Sequence, residues 1–343
     1  MATIKDIAKL SGYSIGTVSR VINNRPDVSP ETREKIQAAI DELGFQPNSN
    51  AQQLKQTVPS GVTVIVRGAG NRFLTLLLAA VQHQLSEHDE LPTVRFIGEN
   101  DDEVSAAIRI TELSKPMGFI FLGGSIKNFE ESFQKLNVPS VLVSSDASTV
   151  NSGNLSSFTT DDYSVARFAI AKLIEQGHKN IGIIGGFPAL SPEDNITKRA
   201  NGARDELLAN GLEFEEDVTY IHCALSSGPD AYEAAKELLR NRPQTTAVFA
   251  MSDVAGLCAM RAFADMGFKV PEDISVMGFD GIDYTNFTIP RLSSIKQDVD
   301  TLAQRAVEDL LIRVKYPKSP VHMTIPYSYT VGESIASPRK NNK

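Results

Sequence analysis

Apolar positions recur along the chain in two different rhythms. Over residues 1–47 the spacing is helical. Thr3 precedes Ile4, Ile7, Ala8 and Leu10, with Asp6 at the third helical position, the pattern of a capped helix. Gly12 closes it, since glycine takes the left-handed conformation without a Cβ penalty. Ser14 opens a second helix whose Val18, Val21 and Ile22 form one stripe. Ser29-Pro30 starts a third, which runs through Ile36, Ala39, Ile40 and Leu43 to Gly44. Within the first pair, Ala8, Gly12 and Val18 supply a small residue at the helix crossing, a tight turn and an apolar plug. That is the packing logic of a helix-turn-helix. Its second helix would carry Ile15, Gly16, Thr17 and Arg20 nearest to base edges and phosphates. The plainer alternative is a three-helix bundle with Arg20 on a solvated face.

Residues 48–58 are polar apart from Ala51, Leu54 and Val58. They read either as a flexible linker or as a hinge helix too short to stand alone in water. From Gly61 the rhythm changes. Apolar runs at 61–66, 93–98, 117–123 and 140–145 alternate with helical stretches near 73–88, 103–114 and 127–136. A second series follows, with strands at 180–186, 218–223, 247–252 and 274–280 and helices near 162–176, 197–210, 229–240 and 253–266. Such alternation predicts two lobes, each a doubly wound parallel sheet covered on both faces. Ligands of such sheets bind beyond the carboxyl ends of the strands, here between the lobes.

Charge sharpens the division of labour. The net charge is −8, yet residues 1–60 hold seven Lys/Arg against six Asp/Glu. The acidic remainder repels a phosphate backbone and leaves only the weakly basic head to meet it. One copy would bind DNA poorly, so pairing is expected. Two cysteines, Cys223 and Cys258, make neither a disulfide framework nor a metal-ligand spacing. The longest apolar run, near 74–81, is too short to span a bilayer. The first residues read as a capped helix rather than an export leader, so the expected setting is the cytoplasm. No Walker lysine, nucleophile elbow or His-Glu metal pattern occurs, and neither an enzyme nor a transport binding protein has a use for residues 1–58. No cofactor and no metal are expected.

Over nearly the whole chain the sequence resembles the lactose, galactose and purine repressor family of bacterial transcription regulators. "TIKDIAKLSGYSIGTVSRVINN", "NAQQLK", "GHKNIGIIGG", "RANGARDEL", "VFAMSDVAGLCAMRAFADMGFKVPEDISVMGFDG" and "PRLSSIKQD" follow that family's landmarks in order. The resemblance implies an all-α helix-turn-helix head plus an α/β, periplasmic-binding-protein-like core. It also implies a homodimer on double-stranded operator DNA, a repressor whose affinity a small effector in the interlobe cleft controls. The expected divisions are a head over 1–47, a hinge over 48–58, a core over 59–337 and a tail over 338–343. The first lobe would take about 60–160 and 291–318, the second about 161–290 and 319–337. The tail lacks leucine heptads, so a coiled-coil tetramer is not expected.

By the same resemblance, Arg20 matches a DNA-contacting arginine, and Ile15 and Gly16 occupy the pair that sets operator choice. Neither can hydrogen-bond a base through its side chain, which shifts specificity toward Arg20, apolar contact and DNA shape. Leu54 matches a leucine that wedges into the minor groove beside its dimer mate. Thr3, Ser14, Thr17, Ser19, Asn23, Asn48, Ala51 and Lys55 complete the expected DNA-facing set. In the cleft, Arg199 matches a ligand-binding arginine and Asp280 an acceptor for ligand hydroxyls. Both could instead form a salt bridge between the lobes. Arg72 and Phe73 fall at pocket positions, and Ser144, Asn195, Cys223, Ser252 and Asp253 are weaker candidates. The loop "VRGAGNRF" places Arg67 and Arg72 ahead of a helix, a favourable place for an anion, so the expected effector is a sugar or a sugar phosphate. Closing the cleft would order or melt the paired hinges and so change operator affinity.

Overall fold

Helix capping organises the N-terminal unit. The computed structural model describes residues 3–22, 28–44, 61–186 and 191–339. The chain divides into two units, Met1–Pro59 and Ser60–Lys343. In the first, α1 (Ile4–Ser11), α2 (Ile15–Ile22) and α3 (Pro30–Glu42) follow the predicted caps. The Thr3 N–H and hydroxyl donate to the Asp6 carboxylate at 2.8 and 2.7 Å, and these bonds hold Asp6 below its ordinary pKa. Gly12, at φ 75°, donates its N–H to the Ala8 carbonyl at 3.1 Å and ends α1. The Ser14 and Ser29 hydroxyls accept from the Thr17 and Thr32 N–H groups at 3.1 and 3.3 Å. Ile7, Val18 and Ile36 are fully buried with Val21 and Ala39 around them, and Ala8 packs at their edge. The plug predicted for Val18 is therefore the centre of this small core.

The second unit holds two six-stranded sheets. The chain runs β1 (Val62–Arg67), α4 (Arg72–Glu87), β2 (Thr93–Ile97), α5 (Glu103–Ser114), β3 (Gly118–Leu122), α6 (Ile126–Ser132), β4 (Ser140–Val143) and β5 (Leu155–Thr159). It continues through α7 (Asp162–Glu175), β6 (Ile181–Gly185), α8 (Asn195–Ala209), β7 (Tyr220–His222), α9 (Gly228–Asn241), β8 (Ala247–Ala250), α10 (Asp253–Asp265) and β9 (Ser275–Asp280). The last elements are β10 (Ser293–Gln297), α11 (Val299–Lys315), β11 (His322–Thr324) and β12 (Tyr327–Thr330). The first sheet has the order β11-β5-β4-β3-β1-β2 and is parallel throughout. The second has the order β12-β10-β9-β8-β6-β7, parallel except where β12 meets β10.

Helices cover both faces of each sheet, as near-continuous apolar strands require. On one face of the first sheet, Leu77, Val81 and Leu85 of α4 pack with Leu302, Ala306 and Leu310 of α11. On the other, Phe121 meets Phe129 edge to face with ring centroids 5.1 Å apart. In the second lobe, Gly202 of α8 lies against the backbone of Tyr163, where a Cβ would collide. That glycine sets how closely α7 and α8 cross.

Two expectations need correction. β5 is a fully buried strand that the apolar runs did not mark, because Ser156 and Ser157 interrupt its pattern. Their hydroxyls are satisfied inside, Ser156 by the Val321 N–H and Ser157 by the Ala147 N–H and His322 Nδ1. The lobe boundaries also move. β10 pairs with β9 and so stays in the second lobe, whereas β11 pairs with β5 in the first. Residues 291–297 therefore belong with the second sheet, and 299–325 with the first. β11 is three residues long and exposed, too short and polar to be seen as a strand in the sequence. Three crossovers join the lobes, near 160–161, 298 and 325–326.

Candidate DNA-reading head and effector cleft

Within the head, Ser14, Ile15, Gly16 and Arg20 are exposed at the start and along one side of α2, and Thr17 and Ser19 are half-buried. Ile15 leaves 47% of its surface in solvent although it is apolar and opens the helix. An isoleucine this exposed adds little to the core of the head. Thr3 is exposed, with its hydroxyl engaged by Asp6. Asn23, Asn48, Ala51, Leu54 and Lys55 lie outside the described residues.

Between the lobes is a cavity of about 460 Å³. Its walls come from the carboxyl ends of eight strands: Arg67 at the end of β1, Glu99 and Asn100 after β2, Gly123 and Gly124 after β3, Ser144 after β4, Gly186 after β6, Cys223 after β7, Ser252 after β8 and Asp280 at the end of β9. This is where open parallel sheets build ligand sites, because strand ends release the chain into loops there. Arg72 and Phe73 enter from the first turn of α4, which Asn71 caps through the Leu74 N–H at 3.1 Å. Asn195, Ile196 and Arg199 enter from α8.

Arg199 is 6% exposed and firmly held. Its Nε donates to Asp162 at 2.6 Å, its Nη1 donates to the Met251 carbonyl at 2.9 Å, and the guanidinium lies 3.8 Å over the Phe279 ring. Asp162 belongs to α7, so this ion pair lies within the second lobe and not between the lobes. Burial raises the Asp162 carboxyl despite Arg199. Asp280 sits at φ 117° and accepts from Gln297 Nε2 at 2.9 Å. Burial pushes its pKa up to about 7, against the opposing pull of Arg199. The Cys223 thiol, raised to about 12 by burial, lines the cavity as a neutral group. Arg67 donates to the Glu99 carbonyl at 2.8 Å and lies 3.9 Å from Glu103. Arg72 is exposed and has no ion-pair partner among the described residues.

One weaker candidate falls away. Asp253 is fully buried and does not line the cavity. Its carboxylate accepts from the Ile282 N–H at 2.7 Å and the Ser294 hydroxyl at 2.5 Å, tying the β9 turn to β10. Burial, and then the neighbouring Asp280, hold it well above its ordinary pKa. Its neighbour Ser252 lines the cavity while capping α10 through the Ala255 N–H at 3.1 Å. Glu99, Asn100 and Ser226 were not among the expected residues; the strand-end rule applied to β2 and β7 would have found them. Among the described residues, no His/Cys/Asp/Glu group is arranged to hold a metal, and no helix is long and apolar enough to cross a membrane.

Comparison with known proteins agrees with both parts. Residues 3–48 match the model of bacterial regulatory proteins of the lacI family, and 170–335 match that of a periplasmic binding protein-like domain. The chain is 34% identical over 311 residues to the HTH-type transcriptional regulator MalR of Clostridium butyricum, covering 89% of this chain and 90% of that one. It is 30% identical to the catabolite control protein A of Priestia megaterium, covering 88% and 90%. Among solved structures, the complex of the transcriptional regulator CelR with cellobiose superposes with a TM-score of 0.70 at 28% identity, covering 97% of this chain and all of that one. A helix-turn-helix head, a two-lobed core and relatives of this similarity over nearly the whole length lead to one conclusion: the chain belongs to the LacI family of bacterial regulatory proteins.

Proposed function

We propose that this chain is a homodimeric, cytoplasmic transcription repressor whose operator affinity is set by a sugar or sugar derivative held between the lobes. It catalyses no reaction. The observation that carries the reading is the convergence of Arg199, Asp280 and Arg72 on one cavity, in a chain that also bears an exposed reading helix. A fixed guanidinium, a carboxylate and small polar groups over apolar walls suit a polyhydroxylated ligand, and about 460 Å³ lies within the range of small-molecule sites. The cellobiose of the CelR complex supports the carbohydrate class. The reading helix would engage the major groove through Ile15, Thr17 and Arg20, with Leu54 of the hinge as a minor-groove wedge.

Thermal-shift screening of the full chain against free sugars and their phosphate esters tests the effector class. Any hit is then added to a complex with an operator selected from random-sequence DNA. The expected result is a raised Tm for one sugar family and an altered operator affinity in its presence. Selective operator binding that no sugar or sugar phosphate changes would sink the effector class. A phosphorylated effector is favoured over a neutral one by Arg72, which still has its charge to offer. Equal weak binding to a sugar and its phosphate would count against that refinement.

A further inference from the structure

The first turn of α8 does more than present Arg199. Asp194, the residue preceding that helix, is 5% exposed, yet its side chain makes no cap to its own helix. Its Oδ1 instead accepts the Ile126 N–H of the other lobe at 3.0 Å, and its Oδ2 lies 3.5 Å from the Ser125 hydroxyl. On the first-lobe side the same segment is fixed by Glu103, which accepts the Ser125 N–H at 2.7 Å and Asn128 Nδ2 at 3.0 Å. Two further cross-cleft contacts start from the same turn. Asn195 Nδ2 donates to the Ser144 carbonyl at 3.3 Å, and Lys198 Nζ lies 3.5 Å from Asp146. Three crossovers alone leave two lobes free to rotate, so side-chain ties of this kind bias their separation.

The geometry points to Asp194 as an interlobe clasp: it fastens the first turn of α8 to the Ser125-Ile126 segment and thereby sets how far the effector cleft closes. A buried carboxylate bonded to a charge-free N–H across a cleft trades its own helix cap for a contact that exists only when the lobes are together. Because Asn195 and Arg199 ride on the same helix, the clasp also positions them against the first-lobe wall. This builds on the reading of the cleft as an effector site, but its test needs no effector, so the two can fail separately.

Spin labels attached by non-cysteine chemistry at exposed Glu130 in α6 and Ala209 in α8 report the interlobe distance in the full chain. Amide exchange at Ile126 reports the bond itself. Asp194→Ala is expected to lengthen the mean distance and to speed Ile126 exchange by about tenfold, the loss of one charge-assisted hydrogen bond. Asp194→Asn keeps an acceptor oxygen and should restore both readouts toward wild type, which a purely structural role for the charge would not. Should Asp194→Ala fail to fold, the milder Ser125→Ala should shift the distance in the same direction. Wild-type distance and exchange in whichever of these variants folds would overturn the clasp.

Discussion

In the proposed site Arg199 serves fold and function together. Asp162, Met251 and Phe279 hold it in place, so in the proposed site the guanidinium would meet an incoming ligand already oriented. Removing it also strands Asp162 in the interior. Arg199→Ala should therefore destabilise the core by about 3–5 kcal/mol, the cost of breaking a buried pair, and abolish the effector response. Adding Asp162→Asn should recover part of the melting temperature but none of the response, while operator binding persists in both variants. Recovery of the response by the double variant would show that Arg199 acts only through stability. Asp280 gives a second test through pH. Its folded-state pKa of about 7 lies above its unfolded value, so its contribution to stability is fully present in acid and is lost as pH rises through 7. Asp280→Asn should thus raise the melting temperature relative to wild type at pH 8 and much less at pH 4. Binding runs the other way: the ionised carboxylate is the better acceptor, so wild-type affinity for a hydroxylated ligand should fall between pH 8 and pH 6.

At the scale of elements, the head illustrates how few residues hold a small domain. Val18 has no exposed surface and joins α1, α2 and α3. Val18→Ala should cost about 2 kcal/mol and melt the head before the core, a separate first transition visible by calorimetry. A single unshifted transition would mean that the head core tolerates the gap. The elements were legible where their periodicity was clean. α4, α7, α9 and α10 end within a few residues of the predicted stretches, because long amphipathic or apolar segments with amide, hydroxyl and carboxylate caps leave little ambiguity. β5, β10 and β11 were not, since serines and a three-residue strand carry no apolar signal and are ordered by their neighbours.

On the proposed function, the whole molecule must transmit cleft closure to the DNA-reading head. In our reading that passes through residues 48–58. Leu54→Gly should weaken operator binding severalfold or more, by removing the wedge and raising the entropy of ordering the hinge, and leave effector affinity nearly unchanged. If effector affinity fell in parallel, the hinge assignment would fail. The acidic remainder of the chain has its place at this scale as well: in the proposed dimer it would repel the phosphates and leave affinity to the pairing of two weakly basic heads.

The sequence by itself determined the local elements and the division into head and core, because caps and periodicity are properties of short stretches of chain, whereas the cleft residues were expected only through the family resemblance. It also determined that Ile15 and Gly16 cannot read bases through side-chain hydrogen bonds. Tertiary structure alone decided which lobe each late strand joins, that Arg199 pairs with Asp162 rather than across the cleft, and that Asp253 is a buried tie. It alone brought Asp194 against Ile126. These are pairings between residues 29 to 68 positions apart or more in the chain, and no local pattern records which of many polar partners folding will bring together.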